Sequence, residues 1–176
     1  AYDNSPGAIE KVLGGGISQV ASCIYLAAFL TDIDITEHHC YPYTVNYSPL
    51  GLDAHVIKGS KNLVFTNTFD FPIKIEVSYI DDIINVKIIG TNQKNGKGIQ
   101  PTVTSTPNSY ETEYIEDPEL DEGTEILQQS GIVGYEVKVY KKRLINGVEL
   151  ITEYITTETY QARKEIIIRG TKPIDI

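Results

Sequence analysis

The 176-residue sequence is poor in cysteine, poor in basic residues and free of long apolar runs. Its two cysteines allow at most one disulfide bond, too few for a disulfide-stapled scaffold and, alone, too few for a structural zinc site. No apolar run approaches the roughly 20 residues that a membrane-spanning helix needs. With 15 lysines and arginines against 24 acids, the net charge is −9. Such a chain repels polyphosphate, so we expect no nucleic-acid partner.

The composition is that of a folded chain, with 41% hydrophobic and 22% charged residues. Its length gives room for one large domain or two small ones. The sequence begins at Ala1 rather than Met and has no basic region followed by an apolar signal segment. We therefore expect a piece of a longer protein, with any signal or membrane anchor upstream.

The first strong pattern is a glycine-rich segment, residues 14–16, that leads into an apolar run up to residue 30. The run predicts a buried helix that ends near Thr31. Its spacing places four residues on one helical face: Val20, Ile24, Ala27 and Ala28.

Strand-like segments dominate the rest of the chain. Before residue 91 the candidate strands are 45–47, 63–66, 73–79 and 84–88. Asp81 and Asp82 predict a hairpin between the last two, with Ile73, Ile75 and Val77 on one face. Later candidates are 134–140, 148–155 and 165–169, the first two joined by an Asn146-Gly147 hairpin turn. The predicted fold is α+β and β-rich: one buried helix packed on antiparallel strands, followed by an elongated all-β module.

Between residues 91 and 108 the composition shifts to small and polar residues with two prolines. We predict a linker beginning near 91, with domains at 1–100 and 101–176. Residues 111–125 then hold eight acids and no base. A solvated face or loop is favoured there over a calcium site, because the regular spacing of oxygen ligands is absent.

The glycine-rich segment suggests two kinds of chemistry. Phosphate binding is disfavoured because no Lys-Ser/Thr pair follows the glycines. The same loop could instead present Ser18 at the start of the helix, either as a nucleophile that needs a neighbouring base or as a helix cap. Two thiols are weaker nucleophile candidates: Cys23 lies inside the apolar helix, and Cys40 follows His39.

The three histidines are His38, His39 and His55. A zinc site is disfavoured because the adjacent His38, His39 and Cys40 cannot all point at one ion. A histidine acting as base to residue 18 is favoured, since residues 37–40 follow the helix and could fold back to its start.

Several blocks of the first half resemble the VanW-like domain of Gram-positive cell-envelope proteins: Gly-Gly-Gly-Ile-Ser-Gln-Val at 14–20, Cys-Ile-Tyr at 23–25, Glu-His-His at 37–39, Tyr-Ser-Pro-Leu-Gly-Leu-Asp-Ala at 47–54, and Phe-Pro-Ile at 71–73. The resemblance covers residues 1–90 and the later, C-terminal part of that domain. It implies a peptidoglycan L,D-transpeptidase that acts by thiol acyl transfer on stem peptides, with no metal and no cofactor.

The family's nucleophilic cysteine corresponds to Ser18, so we expect negligible turnover. The resemblance aligns the family's histidine with His39 as general base, and Tyr41 stands where a second histidine is common. Gly16 and neighbouring amides would be the oxyanion donors. Asp53 or Glu37 would orient the imidazole.

The second half resembles the five-glycine domain, a β-rich module of surface proteins, through Gly123, Gly131, Gly134, Gly147 and Gly170. That resemblance implies a spacer or a module that binds glycan containing N-acetylglucosamine. Tyr135, Tyr140, Tyr154 and Tyr160 could stack on sugar rings, with cross-strand packing as the alternative. We thus expect an extracytoplasmic protein of the cell surface or wall, either a transpeptidase relative or a non-catalytic wall-binding or structural protein.

Overall fold

The computed structural model describes residues 15–91 and 96–173. Within these ranges the chain forms one helix, α1 (Ile17–Thr31), and ten strands. The strands of the first half are β1 (Asp34–Glu37), β2 (Val64–Thr66), β3 (Lys74–Ile80) and β4 (Ile83–Ile89). Those of the second half are β5 (Lys97–Asn108), β6 (Thr112–Asp121), β7 (Glu125–Gln129), β8 (Gly134–Ile145), β9 (Val148–Tyr160) and β10 (Glu165–Lys172). The α+β, β-rich fold class is confirmed, and no helix in the described ranges is long and apolar enough to cross a membrane.

Helix α1 ends at Thr31 as predicted, but it buries a different face. The buried apolar residues are Ala21, Tyr25, Ala28 and Phe29. Of the predicted face only Ala28 is among them; the other three residues are half-buried. The helix is apolar around most of its circumference, so spacing alone did not identify its inner face. The large rings of Tyr25 and Phe29 fill the core instead.

Two antiparallel pairs follow in the first half, β1 with β2 and β3 with β4. The predicted β3–β4 hairpin is confirmed, with Asp81 and Asp82 both at positive φ in its turn. Val77 lies opposite Val86 on its apolar face. The strand predicted at 45–47 is wrong: these residues belong to the long loop between β1 and β2 and are not in a strand.

The second half holds two three-stranded sheets, in the orders β5-β8-β9 and β6-β10-β7. The Asn146-Gly147 hairpin between β8 and β9 is confirmed. Residues 97–108, where the composition changes, form strand β5, which pairs with β8 along its whole length. Pro101 and Pro107 fit because β5 is an edge strand, where a missing N–H group is tolerated. The acidic stretch contains β6, whose residues are mostly exposed.

The main apolar core lies where the two halves meet. Helix α1 contributes Tyr25 and Phe29, the β1–β2 loop contributes Leu52 and Ala54, and the second half contributes Val137, Val139 and Tyr160. Gly51 enables this contact, because a Cβ there would lie 2.6 Å from Val139 Cγ2 and its φ of +76° suits glycine. The two halves therefore share one core across residues far apart in the chain.

Candidate functional site

Ser18 is the second residue of α1 and is only 8% exposed. Its hydroxyl accepts a hydrogen bond from the Val56 N–H at 3.2 Å and donates to the Val56 carbonyl at 3.5 Å. Ser22, one turn later, accepts from the Ala54 N–H at 2.8 Å. The two serines thus join the start of the helix to residues 54–56. Ser18 is not the helix cap: Gly16 holds that position, in a left-handed conformation and without a side-chain cap.

His39 is half-exposed, and its ring contacts an acid as expected for an oriented base. Nε2 of His39 lies 3.2 Å from Oε1 of Glu37. The pKa of Glu37 is lowered, first by the hydrogen bond from the Asn62 N–H and then by the one from His39. The His39 carbonyl accepts from the His55 N–H at 2.7 Å. Because Val56 is the next residue, the chain places the Ser18 and His39 segments near each other, but neither side chain bonds the other.

Asp53 lies in a separate, fully buried network. Its Oδ2 accepts from the Tyr41 N–H at 2.8 Å, and its Oδ1 accepts from the Tyr160 hydroxyl. The Tyr160 oxygen in turn accepts from the Gly51 N–H at 2.7 Å. Burial, followed by the bond to Asp53, raises the pKa of Tyr160. Asp53 therefore joins the β1–β2 loop to the end of β9, and Glu37 rather than Asp53 contacts His39.

His38 occupies a more enclosed position than His39, with a side chain only 10% exposed. Its ring stacks on Tyr25 with centroids 4.0 Å apart. Nε2 lies 2.6 Å from the Asp53 carbonyl, and Nδ1 lies 3.5 Å from Oε1 of Glu158 on β9. A carbonyl only accepts hydrogen bonds, so Nε2 is the donor to Asp53, and Nδ1 lies on the side of the Glu158 carboxylate. No local pattern in the sequence predicts this role of His38, because Glu158 lies 120 positions further along the chain.

Both thiols in the described ranges are held in the protonated form. Burial, reinforced by Glu158 and Asp53, raises the pKa of Cys40 to about 12. Burial also raises the pKa of Cys23. Because the thiolate is the nucleophile, neither cysteine is activated.

Two cavities lie along the junction between the halves. The larger, of about 790 Å³, is lined by Phe69, Phe71 and Ile73 of the first half and by Ile99 and Leu144 of the second. The smaller, of about 460 Å³, lies beside Tyr25, His38 and Glu158. Asp32 and Arg143 line both, and neither is lined by Ser18 or His39.

Of the four tyrosines predicted to stack on sugar rings, Tyr160 is buried in the core, and the other three also lie on strands β8 and β9. Tyr140 is directly opposite Tyr154, with the rings edge-to-face and their centroids 6.0 Å apart. Tyr154 also bonds the Thr157 hydroxyl at 2.9 Å. Tyr135 is opposite Tyr160 and packs against the core. Their contacts match the cross-strand packing alternative, and none of the three lines either cavity.

Comparison with protein families agrees with this two-part organisation. Residues 2–89 match the family described as VanW like protein, and residues 94–172 match the G5 domain. This pair of domains defines the class: a cell-wall-associated protein whose second domain is of a glycan-binding type. The first match spans half of the sequence, and the chain belongs to the VanW-like protein family. We describe residues 2–89 as its VanW-like domain rather than as the C-terminal part of one.

Two curated proteins share segments with the chain. Uncharacterized protein YoaR of Bacillus subtilis (strain 168) is 29% identical over 101 residues, which cover 49% of this chain and 33% of that protein. Immunoglobulin A1 protease of Streptococcus sanguinis is 23% identical over 138 residues, covering 74% of this chain and 7% of the protease. The chain therefore spans a third or less of the length of either relative.

Two solved structures resemble the G5 portion. The IgA1 protease G5 domain structure is 28% identical with a TM-score of 0.33, covering 43% of this chain and 90% of that one. The crystal structure of HP0197-G5 is 20% identical with a TM-score of 0.27, covering 42% and 97%.

Proposed function

We propose that this chain is a non-catalytic wall-binding segment, in which the G5 domain binds glycan and the VanW-like domain supports it without transferring acyl groups. The observation that carries the proposal is the hydroxyl of Ser18, which is buried and hydrogen-bonded to the backbone of Val56. A serine becomes a nucleophile only when a neighbouring base takes its proton. Here the Ser18 hydroxyl donates its hydrogen bond to the Val56 carbonyl oxygen, and a carbonyl cannot act as a general base.

The other reactive groups support the same proposal. The ring of His39 bonds Glu37, and both Cys23 and Cys40 have raised pKa values. Asp53 holds Tyr160 and the Tyr41 amide rather than an imidazole ring. In this arrangement the side chains of Ser18, His39 and Asp53 each have a structural partner.

The proposed partner is wall glycan that contains N-acetylglucosamine, at an extracytoplasmic site. The G5 domain supports this assignment because its class binds glycans. Sugar binding also requires no activated nucleophile, which agrees with the state of Ser18 and the two thiols.

A second candidate is the L,D-transpeptidase activity itself, restored when residue 18 is cysteine. The 3.2 Å contact between Glu37 and His39 favours it, because an acid beside an imidazole is a common way to orient a base. In that reaction the thiolate would attack a stem-peptide carbonyl and form a thioester, while the departing amine takes a proton from His39. An amine of a second stem would then attack the thioester, release the thiol and form the cross-link.

The test compares the wild-type chain with Ser18→Cys and with Ser18→Ala as the matched control. Each is mixed with purified peptidoglycan sacculi for sedimentation, and with tetrapeptide muropeptides for product analysis by mass spectrometry. We expect the wild type and Ser18→Ala to sediment equally with sacculi and to form no muropeptide dimer. Failure of the folded wild type to bind sacculi refutes wall binding. A dimer formed by Ser18→Cys alone supports the second candidate for the ancestral enzyme.

A further inference from the structure

We infer that the larger junction cavity is the oligosaccharide site, built jointly by the VanW-like and G5 domains, and that it takes N-acetylated amino-sugar chains. This inference rests on the proposed glycan-binding function and names its site. The cavity volume of about 790 Å³ is within the range of about 300–1,000 Å³ typical of small-molecule sites.

An aromatic platform from the VanW-like domain forms one wall. The rings of Phe69 and Phe71 are parallel, with centroids 5.0 Å apart and planes 4° from each other. Both are only half-buried. Gly90 allows this position, since a Cβ there would lie 2.9 Å from Cε2 of Phe71. A pair of aromatic rings beside open space is suited to the apolar C–H face of a sugar ring.

The G5 domain supplies further apolar lining residues and the hydrogen-bond donors. Ile99 and Leu144 present an apolar surface, while Lys97 and Arg143 add positive charge. Nε of Arg143 bonds both carboxylate oxygens of Glu153 at 3.1 Å, and its Nη1 bonds Asp32. Its Nη2 has no protein partner within the described ranges, and neither does the Lys97 amine.

These donors determine the kind of sugar that the cavity suits. Acetamido carbonyls and ring hydroxyls accept hydrogen bonds, and they project from the edges of a ring whose face is apolar. A cavity with aromatic walls and unused N–H donors complements both parts of an N-acetylated amino sugar. The aromatic rings come from the VanW-like domain and the Lys97 and Arg143 donors from the G5 domain, so neither domain alone completes the site.

The smaller cavity fits a ligand less well, because its charged groups pair with each other. Lys141 bonds Asp32 at 2.9 Å, and His38 lies 3.5 Å from Glu158. A ligand entering there would have to displace these pairs, whereas the larger cavity also offers the Lys97 amine, which pairs with no residue in the described ranges.

The test measures binding of N-acetylglucosamine tetramer to the full 176-residue chain by calorimetry. Phe71→Ala should weaken binding by about tenfold or more, as the loss of a central aromatic contact usually does. Phe65→Ala is the matched control, since Phe65 lies on β2 and does not line the cavity. Lys97→Gln should weaken binding severalfold, whereas Lys87→Gln, on β4 outside the cavity, should not.

A second measurement does not depend on how the variants fold. In the wild type carrying labelled methyl groups, the tetramer should shift the NMR signals of Ile73 and Leu144, while those of Ile126, on β7, should stay in place. If the wild type binds the tetramer but these cavity signals and the affinity of Phe71→Ala are unchanged, the site is refuted and glycan binding stands. If the wild type binds neither the tetramer nor sacculi, the proposed function fails together with this site.

Discussion

Replacing Tyr160 with phenylalanine removes the one hydroxyl that connects Asp53 and Gly51 to the end of β9. Tyr160 is 1% exposed, and its oxygen both donates to Asp53 and accepts from the Gly51 N–H at 2.7 Å. The substitution keeps the ring and leaves both partners buried without this contact. A buried polar group left unpaired costs about 1–3 kcal/mol, and more when it is charged. We therefore expect Tyr160→Phe to lower the free energy of unfolding by about 3 kcal/mol.

Urea and thermal unfolding, followed by circular dichroism, measure this loss. A loss of this size corresponds to a fall in Tm of roughly 6–12 °C for a chain of this length. The control is Tyr154→Phe, which removes a hydroxyl from a residue that is 58% exposed and should change stability by less than about 0.5 kcal/mol. Because Tyr160 and Asp53 belong to different domains, one cooperative transition should shift as a whole. A loss below about 1 kcal/mol for Tyr160→Phe, or two transitions of which only one moves, would refute this reasoning.

Three other predictions concern the same junction and the two thiols. In urea unfolding, Gly51→Ala should lose about 2 kcal/mol more stability than Gly59→Ala. Both glycines have positive φ, but a Cβ added at Gly51 would lie 2.6 Å from Val139 Cγ2, whereas a Cβ at Gly59 has nothing within 4 Å. Equal losses would contradict the close approach at Gly51. Burial opposes ionisation of Asp32, but two basic side chains of β8 outweigh it and lower the pKa below its usual 3.8, so the stabilisation is present above that value and disappears as the pH falls through the folded pKa. Unfolding measured from pH 7 to pH 2 should show the advantage of the wild type over Asp32→Asn shrinking below about pH 4, and a constant advantage would count against the ion pairs. The pKa of Cys40 is raised to about 12, and that of Cys23 is also raised. Iodoacetamide at neutral pH should therefore label both thiols slowly in the native chain and rapidly in urea. Rapid labelling of Cys40 in the native chain would disprove its protonated state.

Local signals predicted the elements whose causes are local. The Asn146-Gly147 turn lies between β8 and β9, and the Asp81-Asp82 turn lies between β3 and β4. Both turns place residues at positive φ, which these residue types accommodate. The helix was recognised by its apolar run, but that run is apolar on most sides and therefore did not reveal which face is buried.

Elements that depend on partners distant in the sequence could not be predicted from local patterns. Residues 97–108 contain two prolines and few large apolar side chains, yet they form a strand because β8 offers a complete hydrogen-bonding partner. Conversely, residues 45–47 are β-branched or aromatic in part, yet they lie in a loop and pair with none of the ten described strands. Secondary structure at these positions is decided by pairing rather than by propensity.

In the candidate site, too, contacts between neighbouring residues are predictable and contacts between distant residues are not. The Glu37–His39 contact joins residues two apart and could be anticipated. The bond from Tyr160 to Asp53 spans 107 positions, and the bonds of Ser18 to Val56 span 38. No local pattern encodes such contacts. The sequence therefore predicts that Asp53 lies beside an imidazole ring and that Ser18 is either a nucleophile or a helix cap.

We expect this chain to bind the cell wall without forming an acyl intermediate. Intact-protein mass spectrometry tests it most directly, on the wild-type chain recovered from sacculi after incubation with tetrapeptide muropeptides. We predict that the chain sediments with the sacculi, is recovered at its unmodified mass and leaves no dimeric muropeptide in solution. A mass increase equal to one acyl-linked stem peptide, mapped to Ser18, would contradict the account.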